Sequence, residues 1–573
     1  MKYILEKTKQ HIIDLINHEY GGEIIAVSDL SFPPDQAMGD LTLPCFKIAK
    51  TAGKAPGQVA EELFQKIKTD EIIASVKTAG PYLNFTLNKE YLAKNLLSEI
   101  NKLKEKYGQN EIGEKKRVMI EYSNGNTHKE CHVGHLRNIA YGDAVNRILS
   151  ANGFESIPVS YINDFGIHVA KTLWNYENFI KKNYGSEDKI PEDKRGFVLG
   201  KMYADASQRA EEDKLAKQMI GGMMKQIESR SGAEYELWQK TRQWSIDSLD
   251  KIYQELDIKF VNIFYESEVI LEGRKIVDEL IERKILKQSE GAIIADLEEF
   301  NLGVLVVIRS DGTMLYPVAD FALAREKFEK YNLDKSIYVV DIRQGQYFKQ
   351  LFKLLELSGY KKELIHLGYD FVKLPSGMMA SRTGNVITYE ELRDEILVNA
   401  EKETCARHTD WSEEKIKEVA KTVGFGAMKF EMLKVGAESI ITFDIAKALS
   451  FEGYTSAYLQ YTFARINSIL RKSGIRNREL GIGKLVEPKE HDLILKLGKY
   501  PEIVEMAGKN YDPSEIAKYL FELGQMFNDY YHAVPVLKAE ADIMQARLAL
   551  IASTARVIEN GLGLLGIGVV EEM

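Results

Sequence analysis

The chain has 573 residues, 45% of them hydrophobic and 28% charged, with a formal net charge of −9. That length excludes a single hydrophobic core and points to about three or four domains. No apolar run approaches the roughly 18 residues of a membrane span, and the acidic balance excludes wholesale coating of nucleic acid while leaving room for docking on local basic strips. The cysteines, Cys45, Cys131 and Cys405, have no paired spacing, so neither a zinc site nor a disulfide framework is expected.

The opening "MKYILEKTKQHIIDLINHEY" spreads charges through its apolar residues at helical spacing. It lacks the continuous apolar core of a signal peptide, and a cytoplasmic location is expected. Residues 1–112 alternate helical and strand-like runs, predicting an α+β domain that ends in the charged stretch "NKLKEKYGQNEIGEKKR". Next, "VMIEYS" predicts a strand, "NGN" a turn, "HLRNIAYGDAVNRILSANG" a helix with glycine past its end, and "ESIPVSYIND" another strand. Strand, turn, helix, strand begins a parallel α/β sheet of Rossmann type, expected over 113–388. A charged helical insertion spans about Asp188 to Leu256, after which "GAIIADL", "VLVVIRSDG" and "SIYVVDIRQ" return to strand character. From Tyr389 onward the pattern is almost wholly helical, divided here into a linking region, 389–450, and a helical domain, 451–573.

The stretch with most chemistry is "NTHKECHVGHLRN", Asn126 to Asn138. His132 and His135, three apart, share one face of a helix's first turn, and Gly134 between them lets a ligand approach the backbone. The free N–H groups and positive dipole end of such a turn favour phosphate, and imidazole N–H groups can donate to its oxygens. With 10 histidines and 42 glycines in 573 residues, chance gives a His-x-Gly-His about 0.01 times per chain, so two merely structural histidines explain the pattern poorly.

"IEYSNGNTHKECHVGHLRNIAYGDAVNRIL" resembles the signature region of class I aminoacyl-tRNA synthetases, and specifically of the arginyl-tRNA synthetase family. "MGDLTLPCFKIAK" and "AGPYLNFTL" resemble that family's N-terminal domain, associated with the tRNA elbow, and "EGYTSAYLQYTFARINSIL" with "ENGLGLLGIGVVEEM" its helical anticodon-binding domain. The resemblance implies that His132, Gly134 and His135 bind ATP, that L-arginine is activated to arginyl-adenylate, and that arginine then passes to tRNA(Arg). It also implies Mg2+ accompanying ATP, with no dedicated metal cage, and a monomer.

A guanidinium is planar and always charged, so its pocket must present carboxylates. By the resemblance those are Glu121, at the end of the strand before the motif, and Asp320, four residues after Tyr316 in "LYPVADFALAREKFEKY". Tyr316 and Gln344 complete the side-chain pocket, while Asn126 and Ser123 hold the α-amino end. Taken singly, Asp320 and Gln344 read as surface residues, whereas an acid within an apolar strand needs a partner.

Pyrophosphate release requires positive charge near the phosphates. The family's Lys-Met-Ser-Lys-Ser loop is matched here by "SGMMASRTGN", with Met378 and Ser381 at the lysine positions. Met379 and Ser381 are the ATP contacts carried over, and Arg382 is the nearby cation. The resemblance assigns the missing charge largely to Lys129, three residues before His132. His128 stands where the family has a small residue, Tyr347 where it has a histidine, and Val318 and Ala319 replace its Thr-Arg. Tyr458, Tyr461 and Arg465 are tRNA-contact candidates, although their spacing fits an ordinary buried helix face equally well. The alternatives are another class I synthetase or a non-catalytic tRNA-binding regulator of the same fold.

Overall fold

The computed structural model describes residues 3–211, 213–373, 387–474 and 485–573. The N-terminal part is an antiparallel sheet of β1 (Leu41–Pro44), β2 (Ile73–Ala79) and β3 (Tyr82–Leu87), ordered β1-β3-β2, packed with the helices Ile4–Tyr20, Pro56–Lys66 and Lys89–Leu103. Its contacts reach the far end of the chain. His491 Nε2 lies 2.8 Å from Asp40 Oδ1, and Tyr107 donates to the Leu497 carbonyl at 3.0 Å.

The central sheet is built from β4 (Arg117–Glu121), β5 (Glu155–Ile162) and β6 (Asn262–Tyr265), joined later in the chain by two more strands. Between them comes a separate antiparallel sheet of β7 (Lys287–Ser289), β8 (Ala292–Asp296) and β9 (Val304–Ile308). β10 (Lys335–Asp341) and β11 (Glu363–Tyr369) complete the five-stranded sheet in the order β11-β10-β4-β5-β6, with every pair parallel. Thus "SIYVVDIRQ" rejoins the parallel sheet, whereas "GAIIADL" and "VLVVIRSDG" do not. Along β9, exposed Val304 and Val306 alternate with buried Leu305 and Val307, the pattern of a sheet with one solvated face. In β4, Val118 to Glu121 are all buried, as a strand covered on both faces requires.

The sheet order reverses at β4, with β5 on one side and β10 on the other, so a crevice opens beyond the carboxyl ends of these strands. The helix Val133–Ala151 leaves β4 beside that crevice and is buried on nearly every face. One side meets the sheet, where Asn138 donates to the Val339 carbonyl at 2.7 Å. The other meets the C-terminal helices: Tyr141 donates to the Tyr511 carbonyl at 2.7 Å, and Asn152 to the Val504 carbonyl at 3.0 Å. Arg137, fully buried on the same helix, donates to the carbonyls of Ser439 and Ala437 at 2.8 and 2.6 Å.

Residues 374–386 lie outside the described residues, but both of their flanks are tied to this helix. On the entering side β12 (Val372–Lys373) pairs in parallel with β13 (Ile441–Thr442), beside the loop that Arg137 holds. On the leaving side Thr388 bridges His132, and the Tyr389 N–H donates to the Cys131 carbonyl at 2.8 Å. β13 is a short strand within a region whose sequence pattern is otherwise helical. Two residues of parallel pairing carry too little periodicity to be seen in sequence.

Gly142 fixes how closely this helix approaches the strand end. A Cβ there would stand 2.2 Å from Cγ of Tyr122 and 2.4 Å from its Cβ. Gly142→Ala is expected to destabilise the protein by about 1–3 kcal/mol through overpacking. An unchanged midpoint in thermal or urea unfolding would show that the helix is not wedged there.

Candidate active site

His132 is the N-cap of the helix Val133–Ala151, in extended backbone, and its Nδ1 accepts the Gly134 N–H at 3.1 Å. His135 Nδ1 in turn accepts the His132 N–H at 3.1 Å. The imidazoles therefore cap the helix themselves, where Ser or Asp would ordinarily do so. A Cβ on residue 134 would lie 3.0 Å from Cε1 of His132, so glycine is what lets that ring fold back over the helix start. The two rings pack with centroids 3.8 Å apart.

This geometry fixes the tautomers. With each Nδ1 accepting a backbone N–H, the proton of a neutral ring resides on Nε2. Burial lowers the His132 pKa to about 4, and burial, His132 and Lys129 together hold His135 well below its ordinary value. Both histidines can thus give an Nε2–H to phosphate oxygens at a helix N-terminus, but neither contributes a full positive charge. A cation has to come from elsewhere, and Lys129 is adjacent. Its Nζ lies 5.3 Å from the ring centroid of Tyr203, on the helix Arg195–Ala210.

Asn126 bridges Asn163 beyond the end of β5, which places it in the crevice. Ser123 is committed inward: its N–H donates to Asn138 at 2.5 Å, and its hydroxyl lies 2.9 Å from that of Tyr253. That leaves Asn126 the better placed of the two to meet a ligand.

The acids gather at the strand ends. Glu121 closes β4 and is buried against fully buried Lys327, with which it forms an ion pair. Asp164, just past β5, pairs with Arg242 at 2.5 Å and accepts from the N–H and hydroxyl of Ser267. Two more carboxylates, Asp320 and Glu266, form no ion pair among the described residues, although the charge of Lys327 acts on Asp320. Asp320, one turn into the helix Tyr316–Tyr331, accepts a hydrogen bond from Tyr347, and burial raises its pKa to about 7. Glu266, which follows β6 directly, is 7% exposed, and its Oε2 has no hydrogen-bond partner among the described residues. Burial, with Asp320 and Asp164 nearby, pushes it up to about 8. Tyr316, at the start of the same helix as Asp320, is 67% exposed, its phenol raised by partial burial and by the nearby charges of Glu266 and Asp320.

The structure therefore brings Glu121, Asn126, Tyr316 and Asp320 to one crevice, with His132, Gly134 and His135 at its edge. Gln344 is exposed just after the end of β10, before the helix that carries Tyr347. Met379, Ser381 and Arg382 lie outside the described residues. Tyr458, Tyr461 and Arg465 are part-buried in the C-terminal helices and linked through Asn528, which accepts from Arg465 at 2.8 Å and donates to Tyr458 at 2.7 Å. Arg465 also donates to the Tyr461 hydroxyl at 3.0 Å. Sequence reasoning missed Glu266 and Lys327. Glu266 follows "NIFY", a four-residue strand too short to signal itself, and Lys327 looks like one surface lysine among the charges of "REKFEKY".

Three families match consecutive parts of the chain: the arginyl tRNA synthetase N-terminal domain over residues 4–87, the catalytic domain of class I (R) tRNA synthetases over 96–443, and the DALR anticodon-binding domain over 459–573. An arginine–tRNA ligase of Bdellovibrio bacteriovorus is 36% identical over 94% of this chain and 93% of that protein. One of Clostridium acetobutylicum is 35% identical over 95% and 96%. Among solved structures, Thermus thermophilus arginyl-tRNA synthetase superposes with a TM-score of 0.80 at 26% identity, covering 99% of this chain and 100% of that one. The Plasmodium falciparum enzyme shares the fold, with a TM-score of 0.77 at 23% identity over 99% of each chain. By sequence over nearly its whole length and by fold, the chain belongs to the class I arginyl-tRNA synthetase family.

Proposed function

We propose that this chain joins L-arginine to tRNA(Arg) in two steps within the crevice beyond β4 and β10. In the first, the arginine carboxylate attacks the α-phosphorus of ATP, forming arginyl-adenylate as the bond to pyrophosphate breaks. In the second, a hydroxyl of the terminal ribose of tRNA attacks the arginyl carbonyl and AMP leaves. The adenylate is an activated anhydride, so positioning carries much of the second step.

The observation that carries the choice of arginine is the pair of half-buried Asp320 and buried Glu266, neither in an ion pair among the described residues and both raised toward neutrality. A guanidinium between them supplies the missing charge and takes bidentate hydrogen bonds. Tyr347 holds one oxygen of Asp320, Tyr316 closes over the group, and Gln344 lies at its edge. Glu121 acts through Lys327, whose ion pair keeps the floor of the pocket from adding a third free acid. Asn126, with Ser123 behind it, faces the α-amino end.

His132 and His135 hold ATP's phosphates through Nε2–H, the Gly134 backbone lies against them, and Met379 and Ser381 are further ATP contacts. Lys129 and Arg382 supply the charge that the developing pyrophosphate needs. Mg2+ carried on ATP's phosphates would neutralise part of their charge; among the described residues no group of three or more His, Cys, Asp or Glu could hold a metal by itself. Tyr458, Tyr461 and Arg465 meet tRNA bases. The working division is an elbow-binding domain over 1–112, the catalytic domain over 113–388, a stem-contact region over 389–450 and an anticodon domain over 451–573. The chain works as a cytoplasmic monomer; among the described residues no helix is long and apolar enough to cross a membrane.

Aminoacylation of total tRNA with each of the twenty amino acids should give arginine alone, and charging with another amino acid would overturn the assignment. Asp320→Asn and Glu266→Gln should each raise the KM for arginine at least about tenfold, the loss expected for a hydrogen bond to a charged group. Glu266→Gln should also stabilise the ligand-free protein increasingly as pH rises. The raised folded pKa of about 8 lies above the unfolded value of about 4.3, so wild-type stability falls across that window, and the variant's, with only Asp320 still raised, falls less. A Tm difference that is flat from pH 5 to pH 8 would contradict this. Lys129→Ala should cut kcat about tenfold, roughly 1.4 kcal/mol of transition-state stabilisation, at unchanged Tm. Wild-type turnover would refute its role.

A further inference from the structure

His128 is the one histidine of the motif region with no part in the reaction described above. It is 1% exposed and adopts φ +60°, the left-handed region that residues with a side chain rarely occupy. Its ring lies with Nδ1 2.9 Å from Thr127 Oγ1 and Nε2 2.8 Å from Thr241 Oγ1, and its backbone N–H donates to Ser245 Oγ at 3.0 Å. Thr241 Oγ1 also lies 2.8 Å from the Leu237 carbonyl and 3.3 Å from that of Trp238, acceptors that take its hydroxyl proton when His128 donates to it from Nε2. Nδ1 then accepts from the Thr127 hydroxyl. Burial holds the pKa down to about 3, which keeps the ring in this neutral, doubly bonded form.

Thr241 and Ser245 both belong to the helix Ala233–Glu255 of the insertion. The next two residues rest on the insertion as well. Lys129 Nζ stands over Tyr203, and residue 130 is pressed by Gly200, where a Cβ would come within 2.7 Å of the Glu130 nitrogen. Three successive residues of the catalytic loop are thus seated on two insertion helices, and His128 supplies the hydrogen bonds of that seat.

We propose that His128 is a positioning residue: its side chain, bonded to Thr127 and Thr241, locks the left-handed turn from which Lys129 reaches the nucleotide's phosphates, so that the helical insertion sets the location of the catalytic charge. This rests on the reading that Lys129 supplies that charge. A displacement of about 1 Å can cost on the order of a hundredfold in rate, and the clamp acts on the residue adjacent to the cation.

The test uses His128→Gly, which keeps the left-handed backbone and removes the clamp, and Thr241→Val, which keeps His128 and removes its acceptor. Each is measured alone and combined with Lys129→Ala, in tRNA arginylation over a range of ATP concentrations, with Tm alongside. Both single variants should lower kcat about tenfold while the KM for ATP stays within about twofold. In the Lys129→Ala background the same changes should alter kcat less than about twofold, because the residue they position is gone. Wild-type kcat in both single variants would overturn the proposal. So would the same tenfold loss persisting in the Lys129→Ala background, which would mark His128 as structural while leaving the role of Lys129 intact. Wild-type kcat in Lys129→Ala itself would instead remove the reading on which the proposal rests.

Discussion

The constraint on which the site depends is a surplus of buried negative charge at the carboxyl ends of the parallel strands. Four carboxylates converge there, and two are answered within the protein, Glu121 by Lys327 and Asp164 by Arg242. Asp320 and Glu266 form no ion pair among the described residues, and desolvation raises the pKa of each even though Lys327 acts on Asp320. In the ligand-free protein both acids are raised toward the protonated, neutral form. In the proposed function a guanidinium would meet the cost of desolvation by charge, which would make recognition of arginine and relief of the pocket one event.

The phosphate side of the crevice follows the opposite rule. His132 and His135 cap a helix with Nδ1, and burial keeps both rings neutral. As the proposed phosphate ligands they would orient the group without neutralising it. In the proposed reaction the charge comes instead from Lys129, whose ammonium lies against Tyr203 of an insertion helix. The helix that carries the histidines also touches the C-terminal helices through Tyr141, Asn152 and Arg137. Both flanks of residues 374–386 are bonded to it or to the loop it holds. The nucleotide side thus has two supports, the insertion and the helical C-terminal part, each a surface that tRNA could load.

Much of this could be read from sequence, and the rest could not for physical reasons. β4, the motif helix and β5 were legible because an apolar strand, a turn with glycine and a capped helix each leave a local pattern. β6 was not, since four residues carry no resolvable period, and with it went Glu266, the acid most in need of a partner. The antiparallel β7–β9 sheet has the same strand character as β10, and only long-range pairing separates them. Tyr347 looked like a departure from the family pattern, yet its hydroxyl holds Asp320. The partner of Glu121 is 206 residues away, beyond any local pattern.

The central claim, that Asp320 and Glu266 hold protons that a guanidinium displaces, can be measured directly. Arginine binding to the tRNA-free protein is followed calorimetrically near pH 7.5 in buffers of different ionisation enthalpy. Because guanidinium does not titrate in this range, any proton exchanged belongs to the protein or to the α-amino group, and citrulline, which keeps that amino group but lacks the charge, serves as the control. Net release of about one proton per arginine bound is expected, abolished or strongly reduced in Glu266→Gln, with none for citrulline. Arginine binding with a heat independent of the buffer would contradict it.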